Sequence, residues 1–113
     1  MLNVSQHVDV DAIKELKVIM GDEFLSLVAT FVSDSRQRVE VLSAAVRSGE
    51  PDAIKCAAHS LKGSAGNMAA TALAELCRNL EEASMLGDIT VCHQLAQQIN
   101  IEYQQVKTVL ETL

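Results

Sequence analysis

The sequence predicts an all-α fold, an antiparallel up-down-up-down four-helix bundle with an additional short N-terminal helix. The length of 113 residues suits one hydrophobic core and one domain. Apolar residues make up 49% of the chain but aromatic residues only 3%, a profile typical of helices packed on helices. One proline and five glycines leave too few turn residues for an all-β chain.

The first two predicted helices follow from capping residues and apolar spacing. Asp9 or Asp11 can cap a short helix that ends near Met20, before the stop signal Gly21. Asp22 can then open a longer helix. In that helix the residues of the buried stripe recur every three or four positions, and they are Phe24, Val28, Phe31, Ser35, Val39, Leu42 and Val46.

Three further helices complete the prediction. Gly49 ends the second helix, and Pro51 suits the first position of the third because its missing N–H needs no partner there. The fourth helix runs from about Thr71 towards Gly87, and Asp88 caps the fifth. Short connections make consecutive helices antiparallel, so the four long ones form a bundle with the short helix across one end.

The third predicted helix carries a histidine on its outward side. At about 100° per residue, His59 lies roughly 160° from Leu61, which faces the core. Gly63 and Gly66 fall within about 40° of His59. Each glycine costs about 1 kcal/mol relative to alanine, so the pair indicates a need for close approach by a partner.

Lys62 and His59 together favour nucleophilic phosphate chemistry. Side chains three residues apart on a helix are neighbours, so the Lys62 ammonium can reach a group held by His59. An imidazole with a pKa of about 6.5 is mostly neutral at cytosolic pH and is then a nucleophile without a general base. Phosphoryl transfer asks mainly for positioning and nearby positive charge.

The stretch A-H-S-L-K-G-S-A-G-N-M-A resembles the signature of histidine-containing phosphotransfer domains, of the free-standing bacterial type. In that family a lysine and a glycine follow the helical histidine at the third and fourth positions, as Lys62 and Gly63 follow His59. The next helix carries the family-like run L-C-R-N-L-E, and the resemblance implies that its Glu81 orients the histidine ring. Ala69 stands where the family often has glycine, which leaves the turn geometry open.

The resemblance implies a phosphorelay intermediate of two-component signalling. His59 would accept a phosphoryl group from the aspartyl phosphate of a receiver domain on a hybrid sensor histidine kinase. It would pass the group to the aspartate of a response regulator receiver domain. The sequence contains no P-loop or Gly-rich ATP lid, so no autonomous kinase activity is expected. Magnesium is expected on the partner receiver domain, with no cofactor or metal on this chain.

A docking surface is predicted around Gly63 and Gly66, flanked by the basic residues Lys55, Lys62 and Arg78 that would meet an acidic receiver. The net charge of −6 and the absence of basic runs argue against nucleic-acid binding. No segment reaches 18 uninterrupted apolar residues, which argues against a membrane span. Three cysteines without C-x-x-C spacing and no signal peptide favour a cytoplasmic protein, with a monomer as the default expectation.

The domain is predicted to fill residues 1–113 as a free-standing shuttle, with residues 1–8 flexible. His7 in that segment and His93 near the start of the last helix are expected to be solvent-exposed residues without a site. Cys77 and Cys92 fall on apolar stripes and are expected in the core. The role of Cys56, three residues before His59, stays open.

Two other classes of function remain as alternatives, a metal-binding bundle and a bundle that only binds other proteins. A metal-binding bundle could use Cys56 and His59, which could share an ion with Glu81. Zinc normally takes at least three protein ligands, with a strong preference for His and Cys, and no convincing third is present. A Cys–His hydrolase lacks an orienting group and an oxyanion site. A bundle that only binds other proteins would use the same surface without a covalent step, and would keep its partner when His59 is replaced by Gln.

Overall fold

The computed structural model describes residues 3–113, and within them the chain is helical and contains no strand. The helices are α1 (Val4–His7), α2 (Val10–Met20), α3 (Phe24–Ser48), α4 (Pro51–Asn67), α5 (Thr71–Met85) and α6 (Ile89–Thr112). A 3-10 turn, Gly21–Glu23, joins α2 to α3. No helix between residues 3 and 113 combines the length and apolar character that crossing a membrane requires.

The four long helices α3 to α6 form the predicted bundle. Each packs against the next along the chain, and α3 also packs against α6, which closes the ring. The connections between them are only two to three residues long, so successive helices run antiparallel. The most extensive contact in the ring is between α4 and α5.

The apolar stripes predicted from spacing form the core. Every residue predicted for the α3 stripe is buried, whereas Leu76 and Leu95 on the next stripes are only half-buried. The Tyr103 hydroxyl donates a hydrogen bond of 2.7 Å to the Val32 carbonyl, so the one tyrosine ties α6 to α3 without leaving its polar atom unsatisfied.

The helix ends match most of the predicted signals. The Asp9 and Asp88 side chains accept hydrogen bonds from backbone N–H groups three residues further on, as N-cap residues do. Pro51 begins α4, and Gly49 takes a left-handed conformation at the end of α3. The predicted start at Asp22 is too early, because Asp22 lies in the 3-10 turn and α3 begins two residues later.

Helix α2 lies at one end of the bundle, as predicted for the short helix. The Asp9 N–H donates to the Ala69 carbonyl at 2.9 Å, in the turn between α4 and α5. The Lys17 ammonium donates to the Leu113 carbonyl at 2.8 Å, just after α6. These contacts place α2 beside the turn that joins α4 to α5.

The expectation that His7 is solvent-exposed is wrong. Its side chain is only 13% exposed, and its Nδ1 lies 2.7 Å from Glu102 Oε2 on α6. The neighbouring Val8 is 1% exposed. The segment expected to be flexible thus contains α1, which packs on α5 and α6 because they supply a carboxylate and an apolar surface. Residues 1 and 2 lie outside the described residues. His93 is exposed, as expected.

The structure shows the geometry of the turn between α4 and α5, which Ala69 had left open. The φ of Ala69 is +54°, in the left-handed region that L side chains rarely adopt. The Ala70 N–H donates to the Ala65 carbonyl at 2.9 Å across the turn. The chain therefore makes a turn that suits glycine while carrying a methyl group, at a cost of about 1–2 kcal/mol.

Candidate functional site

His59 lies midway along α4, and its side chain is 73% exposed. The residues on either side of it in the buried stripe, Ala58 and Leu61, are both 0% exposed. They hold α4 in the rotation that points the imidazole away from the core. The outward orientation predicted from the 100° count is confirmed.

The two glycines that follow His59 leave the surface of α4 open. A Cβ atom built on Gly63 or Gly66 meets nothing within 4 Å. Both glycines are exposed and lie in regular helix, so neither packing against a neighbouring helix nor an unusual φ requires them. The space above them is free for a second molecule.

Glu81 on α5 faces the imidazole. Its side chain is 15% exposed, and its Oε1 lies 3.5 Å from His59 Nδ1, at the long limit of a hydrogen bond. An ionised carboxylate can only accept a hydrogen bond, so this neighbour favours the tautomer with the proton on Nδ1. The lone pair is then on Nε2.

Lys62 shares the same carboxylate oxygen. Its Nζ lies 2.8 Å from Glu81 Oε1, and its side chain is 31% exposed. Oε1 is buried and the ammonium approaches it outside hydrogen-bond alignment, so the contact is an ion pair. The structure brings Lys62 beside His59, as the spacing predicts, and adds that Glu81 contacts both residues from the neighbouring helix.

Two of the three cysteines are buried, which makes their thiols poor ligands and nucleophiles. Burial raises the pKa of Cys77 to about 12, with the Glu81 charge acting in the same direction. Burial also raises the pKa of Cys92, and both thiols lie in the core as predicted. Cys56 is exposed. Within the described part of the chain, no group of three or more His, Cys, Asp or Glu residues could hold a metal ion, so the metal-binding alternative lacks a ligand set.

The predicted basic flank of the docking surface is offset by carboxylates. Arg78 Nη1 lies 2.7 Å from Glu82 Oε1, and its Nη2 contacts Glu75. Lys62 is paired with Glu81. Lys55 is exposed. Arg78 lies within one turn of two acids on its own helix, which offset its charge at the edge of the predicted docking surface.

One polar contact beside His59 was not predicted. Arg38 on α3 donates from Nη1 to Ser60 Oγ, and from Nε to Asp34 Oδ2 at 2.7 Å. The i,i+4 spacing of Asp34 and Arg38 could have indicated their ion pair. No signal in the sequence indicates that α3 brings Arg38 to the residue next to His59.

The comparison with protein families identifies the class. The Hpt domain model matches residues 26–109, which include most of α3, all of α4 and α5, and most of α6. The chain belongs to the Hpt domain family, and it is a phosphorelay intermediate of two-component signalling whose partners are receiver domains.

A solved structure supports the same assignment. The chain resembles the crystal structure of histidine-containing phosphotransfer protein B (HptB) from Pseudomonas aeruginosa PAO1 with a TM-score of 0.88 and 35% sequence identity. The likeness covers 94% of this chain and 92% of that one. No curated protein sequence matches the chain significantly.

Proposed function

We propose that His59 is the phospho-accepting residue and that Nε2 is the reacting atom. The observation that carries the proposal is a ring exposed to solvent with its Nδ1 facing a largely buried carboxylate. Glu81 selects the tautomer that leaves the Nε2 lone pair free. The open backbone at Gly63 and Gly66 gives a second protein room to bring its phosphoaspartate to that atom.

The transfer is a single displacement at phosphorus. The Nε2 lone pair forms the N–P bond while the P–O bond to the receiver aspartate breaks, and the carboxylate leaves with the electron pair. Glu81 stabilises the positive charge that the ring gains while Nδ1 keeps its proton. Lys62 supplies positive charge beside the phosphoryl oxygens. Attack by the carboxylate of a second receiver on the phosphohistidine reverses the step.

The donor in this proposal is the receiver domain of a hybrid sensor histidine kinase, and the acceptor is the receiver domain of a response regulator. Magnesium stays on the receiver, since the charge stabilisation on this chain comes from Lys62. Gly63 and Gly66 form the centre of the docking surface, with Lys55 and Arg78 at its edge. The protein acts as a monomer in the cytoplasm.

The decisive experiment is incubation with a receiver domain phosphorylated by acetyl phosphate. The wild-type chain should acquire the phosphoryl group as an acid-labile, base-stable label, and His59→Gln should acquire none. His93→Gln is the matched control, because His93 is also exposed on a long helix and should be dispensable. Label that persists on His59→Gln would remove His59 from the mechanism. A wild-type chain that binds the receiver without label would favour the non-covalent alternative.

A further inference from the structure

The polar contacts that α4 makes with its neighbours gather around His59. In the described residues, the side-chain ion pairs and hydrogen bonds from α4 to other helices are those of His59 and Lys62 with Glu81, and that of Ser60 with Arg38. They come from a single turn, residues 59–62. The face of α4 towards the core is otherwise apolar. Contacts that served only to hold the bundle together would have no reason to concentrate there.

Arg38 reaches Ser60 from the side opposite to Glu81. Glu81 belongs to α5, whereas Arg38 belongs to α3, so the turn that carries His59 is held between its two neighbouring helices. Asp34 holds the guanidinium at Nε with an oxygen 2.7 Å away. A planar guanidinium bound at two points has little freedom left. Asp34, Arg38 and Ser60 line one groove of about 280 Å³ between α3 and α4.

Small rotations of α4 matter for the reacting ring. A side chain about 6 Å from the helix axis moves by about 1 Å when the helix rotates by 10°. A misplacement of about 1 Å can cost roughly 100-fold in rate. The contact between His59 and Glu81 is already 3.5 Å long, so rotation in one direction breaks it. Gly63 and Gly66, the glycine strip one and two turns beyond His59, add no side-chain contact of their own that could resist such movement.

We propose that Arg38 is a positioning residue for phosphotransfer. The buried Ala58 and Leu61 set the overall rotation of α4, and Arg38, acting through Ser60, fixes its last few degrees at His59. This keeps Nδ1 facing Glu81, so that Nε2 is presented to the donor. Arg38 contacts neither the ring nor the phosphoryl group in this role. The inference rests on the proposed function of His59.

The test uses two phosphoryl donors. Phosphoramidate phosphorylates histidine directly and needs no docking surface, whereas a phosphorylated receiver domain requires docking. Arg38→Gln should slow labelling by roughly tenfold with both donors, with the KM for the receiver within about twofold of wild type. Ser60→Ala should give the same loss, and the double variant should lose no more than either single one. Arg47→Gln is the matched control for Arg38→Gln, since Arg47 is exposed on α3, the helix that also carries Arg38. It should be labelled at the wild-type rate.

Two results would overturn the inference. One is an Arg38→Gln variant labelled by phosphoramidate at the wild-type rate, with at most a lower melting temperature, because the contact would then serve stability alone. The other is a loss seen only with the receiver, because Arg38 would then contact the partner. All rates are taken well below the melting temperature of each variant. If His59→Gln acquires no label but Arg38→Gln is labelled at the wild-type rate, only this inference is rejected. If His59→Gln does acquire label, the proposed function is rejected.

Discussion

The Glu81 carboxylate contacts two other residues at the site, His59 and Lys62. It is largely buried, so its interactions with His59 and Lys62 are screened less than those of a surface carboxylate. The charges of the Glu81 carboxylate and the Lys62 ammonium offset each other, since Nζ lies 2.8 Å from Oε1. In the proposed transfer the phosphoryl group brings negative charge to His59, and Lys62 is the cation one turn away that would compensate it.

The cysteine thiols lead to a prediction at the same scale. Ellman's reagent at pH 8 should react quickly with the thiol of Cys56, because Cys56 is exposed. With a pKa of about 12, Cys77 has roughly one thiolate in ten thousand molecules at that pH and should react only on unfolding. Cys92 should behave like Cys77. A folded Cys56→Ser variant should show no fast phase, and a second fast thiol would contradict the burial of the other two.

At Gly63 and Gly66 of α4, helix stability favours a residue with a side chain, whereas the proposed docking of a receiver favours glycine. Gly63→Leu should raise the free energy of unfolding by about 1 kcal/mol, because leucine is the better helix former and the space above Gly63 is open. The same variant should slow transfer from a phosphorylated receiver, because the side chain blocks approach, while labelling by phosphoramidate continues.

The control for this variant is Ala53→Leu, since Ala53 is exposed on α4 and lies on another face. It should leave transfer from the receiver unchanged. Denaturant unfolding and labelling kinetics measure the two effects separately. If Gly63→Leu accepted phosphate from the receiver at the wild-type rate, the glycine strip would not be part of the docking surface.

The turn between α4 and α5 contains the strain that Ala69 introduces. Ala69→Gly should raise the free energy of unfolding by up to about 1 kcal/mol, because relief of the left-handed strain exceeds the entropy that glycine adds to the unfolded chain. Thermal unfolding should show a melting temperature a few degrees higher. Ala70→Gly is the matched control and should be destabilising, because Ala70 is 0% exposed and has a negative φ. A lower melting temperature for Ala69→Gly would contradict the strain.

For the whole molecule, the N-terminal segment is part of the fold. Val8→Ala should lower the free energy of unfolding by about 2 kcal/mol, because Val8 is 1% exposed and the substitution removes two buried carbon atoms. Val18→Ala should change it by less than about 0.5 kcal/mol, since Val18 is 84% exposed. Equal stability of the two variants in denaturant unfolding would show that the segment does not pack as described.

Much of the architecture depends on interactions that are local in sequence. The stripe from Phe24 to Val46, the cap at Asp88 and the outward face of His59 follow from the helical period and from groups within four residues of one another. The pattern of His59, Lys62 and Gly63 further indicated phosphate chemistry, and the family resemblance added Glu81. These features could be predicted because a helix imposes the same geometry on any chain that forms it.

The partners that cross between helices were decided by the tertiary structure. Arg38 with Ser60, His7 with Glu102 and the shared oxygen of Glu81 each join residues on different helices. Such contacts depend on the rotation and axial offset of one helix against another, which the packing of the whole core sets and no single stretch of sequence encodes. The sequence by itself determined the bundle and the exposed histidine, whereas only the packed molecule decided what surrounds its ring and how α4 is held.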